Sequence, residues 1–163
     1  MMGSVAQQES TGSLRRVKPD GSVVFVGDNI RFRTAVLKPG VLLLTVDGAA
    51  TTTEDTRAEL AMLAEMDREL ARTGKLTVYA DLRETGRMTS ASREISANWM
   101  KRHQARLGPS HVLVRSKLVE MAMAVLSMLV GGGMIKTFSK PETFLESLRK
   151  AGVKLSELPN IEA

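Results

Sequence analysis

The feature that most limits how this chain can fold is the succession of an apolar run, an amphipathic stretch and a second apolar run between Val41 and Asp81. Val41 to Val46 is apolar apart from Thr45, as expected of a strand covered on both faces. Asp47-Gly48 closes it, and Thr51 with Glu54 three residues later fits a capping box that opens a helix. Leu60, Leu63, Met66 and Leu70 then recur at helical spacing, widened by Ala64 and Ala71, with Glu65, Arg68, Glu69 and Arg72 on the other side. Gly74 is placed to end the helix in a left-handed conformation. Leu76, Val78 and Ala80 alternate with Thr77 and Tyr79 in a strand that ends at Asp81. Strand, helix and strand in this order predict a parallel crossover, and hence a sheet with covering helices.

The flanking sequence extends this unit in both directions. Upstream, Ile30, Phe32, Thr34 and Val36 alternate with Arg31, Arg33, Ala35 and Leu37 in a half-buried strand. Lys38-Pro39-Gly40 turns that strand into Val41, so the pair reads as a hairpin, with Val23 to Val26 as a short edge strand before it. Downstream, Ile95, Trp99, His103 and Leu107 mark a helix from Ser90 ended by Gly108-Pro109. A short strand from His111 to Arg115 follows. Ser116 caps the next helix, whose residues Leu118 to Val130 leave almost no polar face and therefore call for cover by the sheet and by a second copy of the chain. Gly131 to Gly133 ends it, Met134 to Phe138 is a last strand, and Pro141 opens an amphipathic helix carrying Phe144, Leu145 and Leu148. The expected fold is an α/β domain over residues 21–152, with a mixed sheet of five or six strands, four helices and an N-terminal hairpin. Residues 1–20 are read as a flexible tail, because they hold few large apolar groups to offset ordering entropy, and 153–163 as a C-terminal tail.

Composition removes several function classes. None of the 163 residues is cysteine, so disulfides and thiolate metal sites are excluded. The N-terminus lacks the basic-then-apolar order of a secretion signal, and a cytoplasmic location is expected. The longest uncharged run, Met121 to Ile135, is shorter than the roughly 17 to 25 residues a spanning helix requires. The net charge of +5 is concentrated between Arg93 and Lys117, where six basic residues face Glu94 alone. Arg93, Lys101, Arg102 and Arg106 are the candidate basic face, suited to an acidic protein surface or anionic lipid, although a merely solvated helix face carries such charge equally well. One Trp, one Tyr and four Phe give no aromatic interleaving for stacking on bases, which argues against nucleic acid.

No catalytic constellation is evident. His103 and His111 lie eight apart without a carboxylate or cysteine cluster, so neither a metal site nor a cofactor is expected. Asp81 with Glu84 or Glu94 could act as a carboxylate pair only if the fold brings them together. Gly131 to Gly133 follows a helix instead of preceding one, the wrong polarity for cradling phosphate. Ten methionines, among them Met121, Met123, Met128 and Met134, offer soft lining for a pocket beneath the second and third helices, and with it an apolar or anionic lipid-like ligand.

Taken together, the phrases VLLLTVDGAATTTED, LTVYADLRETGRMT, HVLVRS and MIKTFSKPETFLESL resemble the STAS or SpoIIAA-like superfamily, over about Asn29 to Ala151. These are small α/β domains related to anti-sigma factor antagonists, some of which are similar to lipid-binding CRAL-TRIO domains. The resemblance implies a non-enzymatic regulatory module with a protein partner. In phosphoregulated members the strand ends in Asp followed by a phosphorylatable Ser at a helix start. Asp81 matches the acidic position, whereas Leu82 stands where that Ser would be. The hydroxyls of Thr85, Thr89 and Ser90 lie in the same stretch, so Asp81, Thr85, Thr89 and Ser90 are the candidate regulatory or binding residues.

Overall fold

A computed structural model describes residues 14–158. A seven-stranded sheet forms its frame, made of β1 (Arg15–Val17), β2 (Val23–Val26), β3 (Ile30–Lys38), β4 (Val41–Gly48), β5 (Thr77–Glu84), β6 (Ser110–Leu113) and β7 (Ile135–Phe138). Spatial order follows chain order from β1 to β7. The strands from β1 to β4 pair antiparallel and those from β4 to β7 pair parallel. Helices α1 (Thr53–Thr73), α2 (Ser90–His103) and α3 (Lys117–Leu129) connect the parallel strands, and α4 (Pro141–Lys150) follows β7.

Period-2 alternation divides the apolar residues between two cores. On one face Phe25, Phe32, Leu42, Leu44, Val78 and Val112 pack against α1, α2 and α3. On the other, Leu43, Tyr79 and Leu113 pack against Phe144 and Leu148 of α4. His111 stacks on Tyr79 with ring centroids 4.4 Å apart, and Phe144 meets Tyr79 edge-on at 5.9 Å. Burial, together with the Lys136 charge, keeps the His111 imidazole below its ordinary pKa, as suits a ring in an aromatic stack.

Two expectations about the first helix shift. The N-cap is Thr52, not Thr51, and its box partner is Asp55, not Glu54. Asp55 takes this role because its carboxylate also receives the backbone N–H of Asn29 at 2.7 Å and of Thr51 at 2.9 Å, tying the β2–β3 turn to the helix start. A Cβ on Gly27 would lie 2.7 Å from the Asp55 Cα, so only glycine lets that turn approach so closely. The buried stripe runs through Asp55, Glu59, Met62, Leu63, Met66, Glu69 and Leu70, while Leu60 is exposed. Glu69 is accommodated because it accepts from Gly40 N–H at 3.0 Å and pairs with Arg72 at 2.7 Å. Gly74 ends the helix with φ +79°, as expected.

The sheet is also wider than expected. Arg15–Val17, within the stretch read as tail, pairs with β2, and Arg15 bridges to Glu65 of α1 at 2.9 Å. Val23–Val26 is consequently an interior strand. At the other end Val153 is buried against α4, so the second core extends past residue 152. Residues 1–13 of the expected N-terminal tail and 159–163 of the C-terminal one lie outside the described residues. Among the described residues no helix is long and apolar enough to cross a membrane, and no group of three or more His, Asp or Glu could hold a metal ion.

Candidate functional site

The strand expected to end at Asp81 continues to Glu84. Pairing with β4 shifts here, since Asp81 opposes Thr45 and Glu84 opposes Asp47, so three steps along β5 span two along β4. Such a bulge re-aims side chains at a strand end. Arg83 folds back on Asp81, donating from backbone N at 3.1 Å, Nε at 3.0 Å and Nη2 at 2.9 Å, and both side chains are nearly buried. The hydrogen bond to Asp81 raises the Arg83 pKa further. Asp81 is therefore an internal strut within the strand. Leu82 points into the larger core, 8% exposed. Glu84 is exposed and lies 3.5 Å from Arg115.

The loop proper runs from Thr85 to Thr89. Its first residue is buried, with the Thr85 hydroxyl donating to the Val46 carbonyl at 3.2 Å. At its end Thr89 is the N-cap of α2, accepting from Ser92 N–H at 3.2 Å. Between them Gly86 and Arg87 are exposed, and Ser90 is exposed in the first turn of α2. The Ser116 hydroxyl, which caps α3, donates to the Gly86 carbonyl at 2.9 Å. The loop and the starts of α2 and α3 thus form one continuous end of the molecule, at the carboxyl ends of the parallel strands, where α/β sheets commonly bind ligands.

The basic face is split. Arg93 lies in the first turn of α2, whereas Lys101 and Arg102 occupy its last turn, some 12 Å along the axis at about 1.5 Å per residue. Arg106 follows in a short 3-10 turn. The last-turn cations sit where the helix dipole favours them.

A cavity of about 130 Å³ lies between the sheet and the three crossover helices, so the first helix walls it along with the second and third, beneath which alone a pocket was expected. Its walls include Phe32, Leu44, Met62, Val78, Trp99 and Met123. Met62, Met66, Met88, Met100 and Met123 line it, but Met121 and Met128 face outward, 65% and 81% exposed. One wall residue is charged and buried: Glu59, 3% exposed, whose Oε2 accepts from the Ser92 hydroxyl at 2.5 Å and whose Oε1 has no hydrogen-bond partner among the described residues. Burial pushes the Glu59 carboxyl up to about 6 against the opposing hydrogen bond from Ser92. Gly48 to Ala50 and Arg87 to Thr89 border the cavity at the strand ends. Neither Asp81 nor Glu84 lines it.

No family model matches the sequence, and no curated protein matches it. Among solved structures, the chain is similar to the anti-sigma factor antagonist SpoIIAA in its unphosphorylated form, at 15% identity and a TM-score of 0.55, covering 76% of this chain and 98% of that one. The fold is SpoIIAA-like. An anti-sigma factor antagonist from Mycobacterium paratuberculosis shares the SpoIIAA-like fold at 14% identity and a TM-score of 0.50, covering 82% of this chain and 99% of that one. At such identities the likeness is one of architecture, and the SpoIIAA-like frame sets the loop after β5 beside the start of α3 without specifying what that end binds.

Proposed function

We propose that this protein is a non-enzymatic regulatory module that works by docking another protein. The observation that carries this reading is the outer face of α3, where Leu118, Met121, Val125, Met128 and Leu129 are 43–81% exposed. Their spacing keeps all five on one side of the helix. Contiguous exposed apolar surface of this kind marks interaction sites, and two methionines make it adaptable. The working surface combines this stripe with the loop from Thr85 to Thr89 and the exposed Ser90, which Ser116 ties to α3 through Gly86. Arg87 and Arg93 border it, which suits a partner with an acidic rim. The likeness to two anti-sigma factor antagonists supports a regulatory role.

The experiment compares the wild-type protein with the doubly substituted Met121→Glu, Met128→Glu protein as baits in extract of the native host, with sedimentation of each alone. Wild type retains a partner that the variant releases. If both retain the same proteins, or neither retains any and wild type sediments as a monomer, the reading fails; a wild-type dimer dispersed by the substitutions would assign the stripe to a second copy of the chain. A second reading, a carrier or sensor of a small apolar ligand, is favoured by the cavity beside Glu59.

A further inference from the structure

The cavity is walled mainly by apolar side chains, with a few serines and threonines and Arg87 also in its lining, and its buried charged group is Glu59. Glu59 projects from the buried side of α1 among Met62, Leu63 and Met66, and Ser92 of α2 satisfies only Oε2. Oε1 is buried without a donor among the described residues. Buried polar atoms are nearly always hydrogen-bonded, and a carboxylate in apolar surroundings calls for a donor or a countercharge. The basic residue lining the same cavity is Arg87, exposed in the loop at its border, and nothing in the structure pairs it with Glu59. A volume of about 130 Å³ is close to that of an engineered apolar cavity of about 150 Å³ that takes up benzene. The occupant is therefore small, with one ring or a short branched chain.

Resting on the ligand reading of this cavity, we infer that it binds a compact apolar molecule whose single polar group donates a hydrogen bond to Glu59 Oε1, a primary amine in first place and an alcohol in second. The ammonium is preferred because it supplies both the missing donor and the missing countercharge. An anionic group inside the cavity is disfavoured by the same carboxylate, which narrows the lipid-like ligands expected from sequence to those that keep any anionic end outside, beside Arg87. Ser92 acts as a positioning residue, fixing the carboxylate so that Oε1 is the atom left to the ligand.

The test is a titration of the full chain with benzylamine, benzyl alcohol, toluene and benzoate, followed by amide NMR shifts at Met88, Ser92 and Trp99. It is run on wild type, Glu59→Gln and Glu59→Leu. Wild type is expected to bind benzylamine about tenfold or more tighter than toluene, with benzyl alcohol between them and benzoate weakest. Glu59→Gln abolishes the amine's lead over the alcohol, and Glu59→Leu brings toluene level with both. Glu59→Gln is close to isosteric and decides the matter if the leucine variant does not fold. Equal binding of toluene and benzylamine by wild type overturns the inference while leaving an apolar ligand cavity in place. An unchanged amine preference in Glu59→Gln also overturns it. No shift with any of the four overturns both the inference and the ligand reading.

Discussion

Replacing Glu59 by glutamine should remove a specific pH dependence from the stability of this protein. The Glu59 carboxyl titrates at about 6 when folded, against an ordinary 4.5. The folded state thus holds this proton more tightly than the unfolded chain does. Its contribution to stability is full below 4.5 and is lost as pH rises through 6. A gap of that size corresponds to about 2 kcal/mol, at about 1.4 kcal/mol per pH unit. For a chain of this length that is about 4–8 °C in melting temperature. Glutamine at this position still accepts from the Ser92 hydroxyl but does not ionise, so the difference between the two proteins isolates one group from every other titration. Urea unfolding of both from pH 4.5 to 7.5 is the assay. Wild type should lose about 2 kcal/mol relative to Glu59→Gln across that range. Two curves that stay parallel would refute the reasoning, because they would mean that the carboxyl is hydrated or otherwise paired in solution.

Other consequences are simpler to state. Asp55→Ala leaves the backbone N–H groups of Asn29, Thr51 and Thr52 without their acceptor and should cost about 3 kcal/mol or more, read as a fall in the urea midpoint at unchanged slope. Burial alone would raise the Asp55 carboxyl, but those N–H donors hold it well below the usual range, so its contribution is present at neutral pH and fades only in strong acid. Ser90→Asp places a negative charge in the first turn of α2 and should stabilise the protein by about 0.3–1 kcal/mol in a thermal melt while weakening partner capture. Capture unchanged by Ser90→Asp would separate Ser90 from the working surface.

The sequence made the architecture legible where one signal decided an element. Alternation in Ile30 to Val36, the apolar run from Val41 and the glycine at 74 each point to one structure, and the hairpin and first crossover form where they were expected. The three-residue β1 was illegible because its Arg15 and Arg16 give no apolar alternation, and it is held by pairing and by Glu65. The phase of α1 was misread for a related reason. Leu60 looks like core and Glu69 like surface, yet each acid on the buried stripe has a local reason to be there. Asp55 gathers backbone donors, Glu69 holds Gly40, and Glu59 meets Ser92 from a helix far along the chain. That last contact depends on tertiary placement, although an acid in register with Met62, Leu63 and Met66 was a signal that could have been found. Asp81 was singled out as a candidate site residue, and the structure pairs it with Arg83 two residues along the same strand, a local contact that the sequence pattern did not single out.

The two ends of the sheet bear on how copies of this protein can meet. Among the described residues both edge strands are short, three residues in β1 and four in β7, and the flat, long edge that invites chain-to-chain pairing is missing from both. Arg15, Arg16, Lys18 and Pro19 lie at one margin and Lys136 at the other, side chains that blunt an edge against extension by a neighbouring strand. Association by continuing the sheet is thereby discouraged at both margins, and the side chains of α3 are left as the sticky part of the surface. A crystal of this protein should therefore show its tightest contact helix against helix.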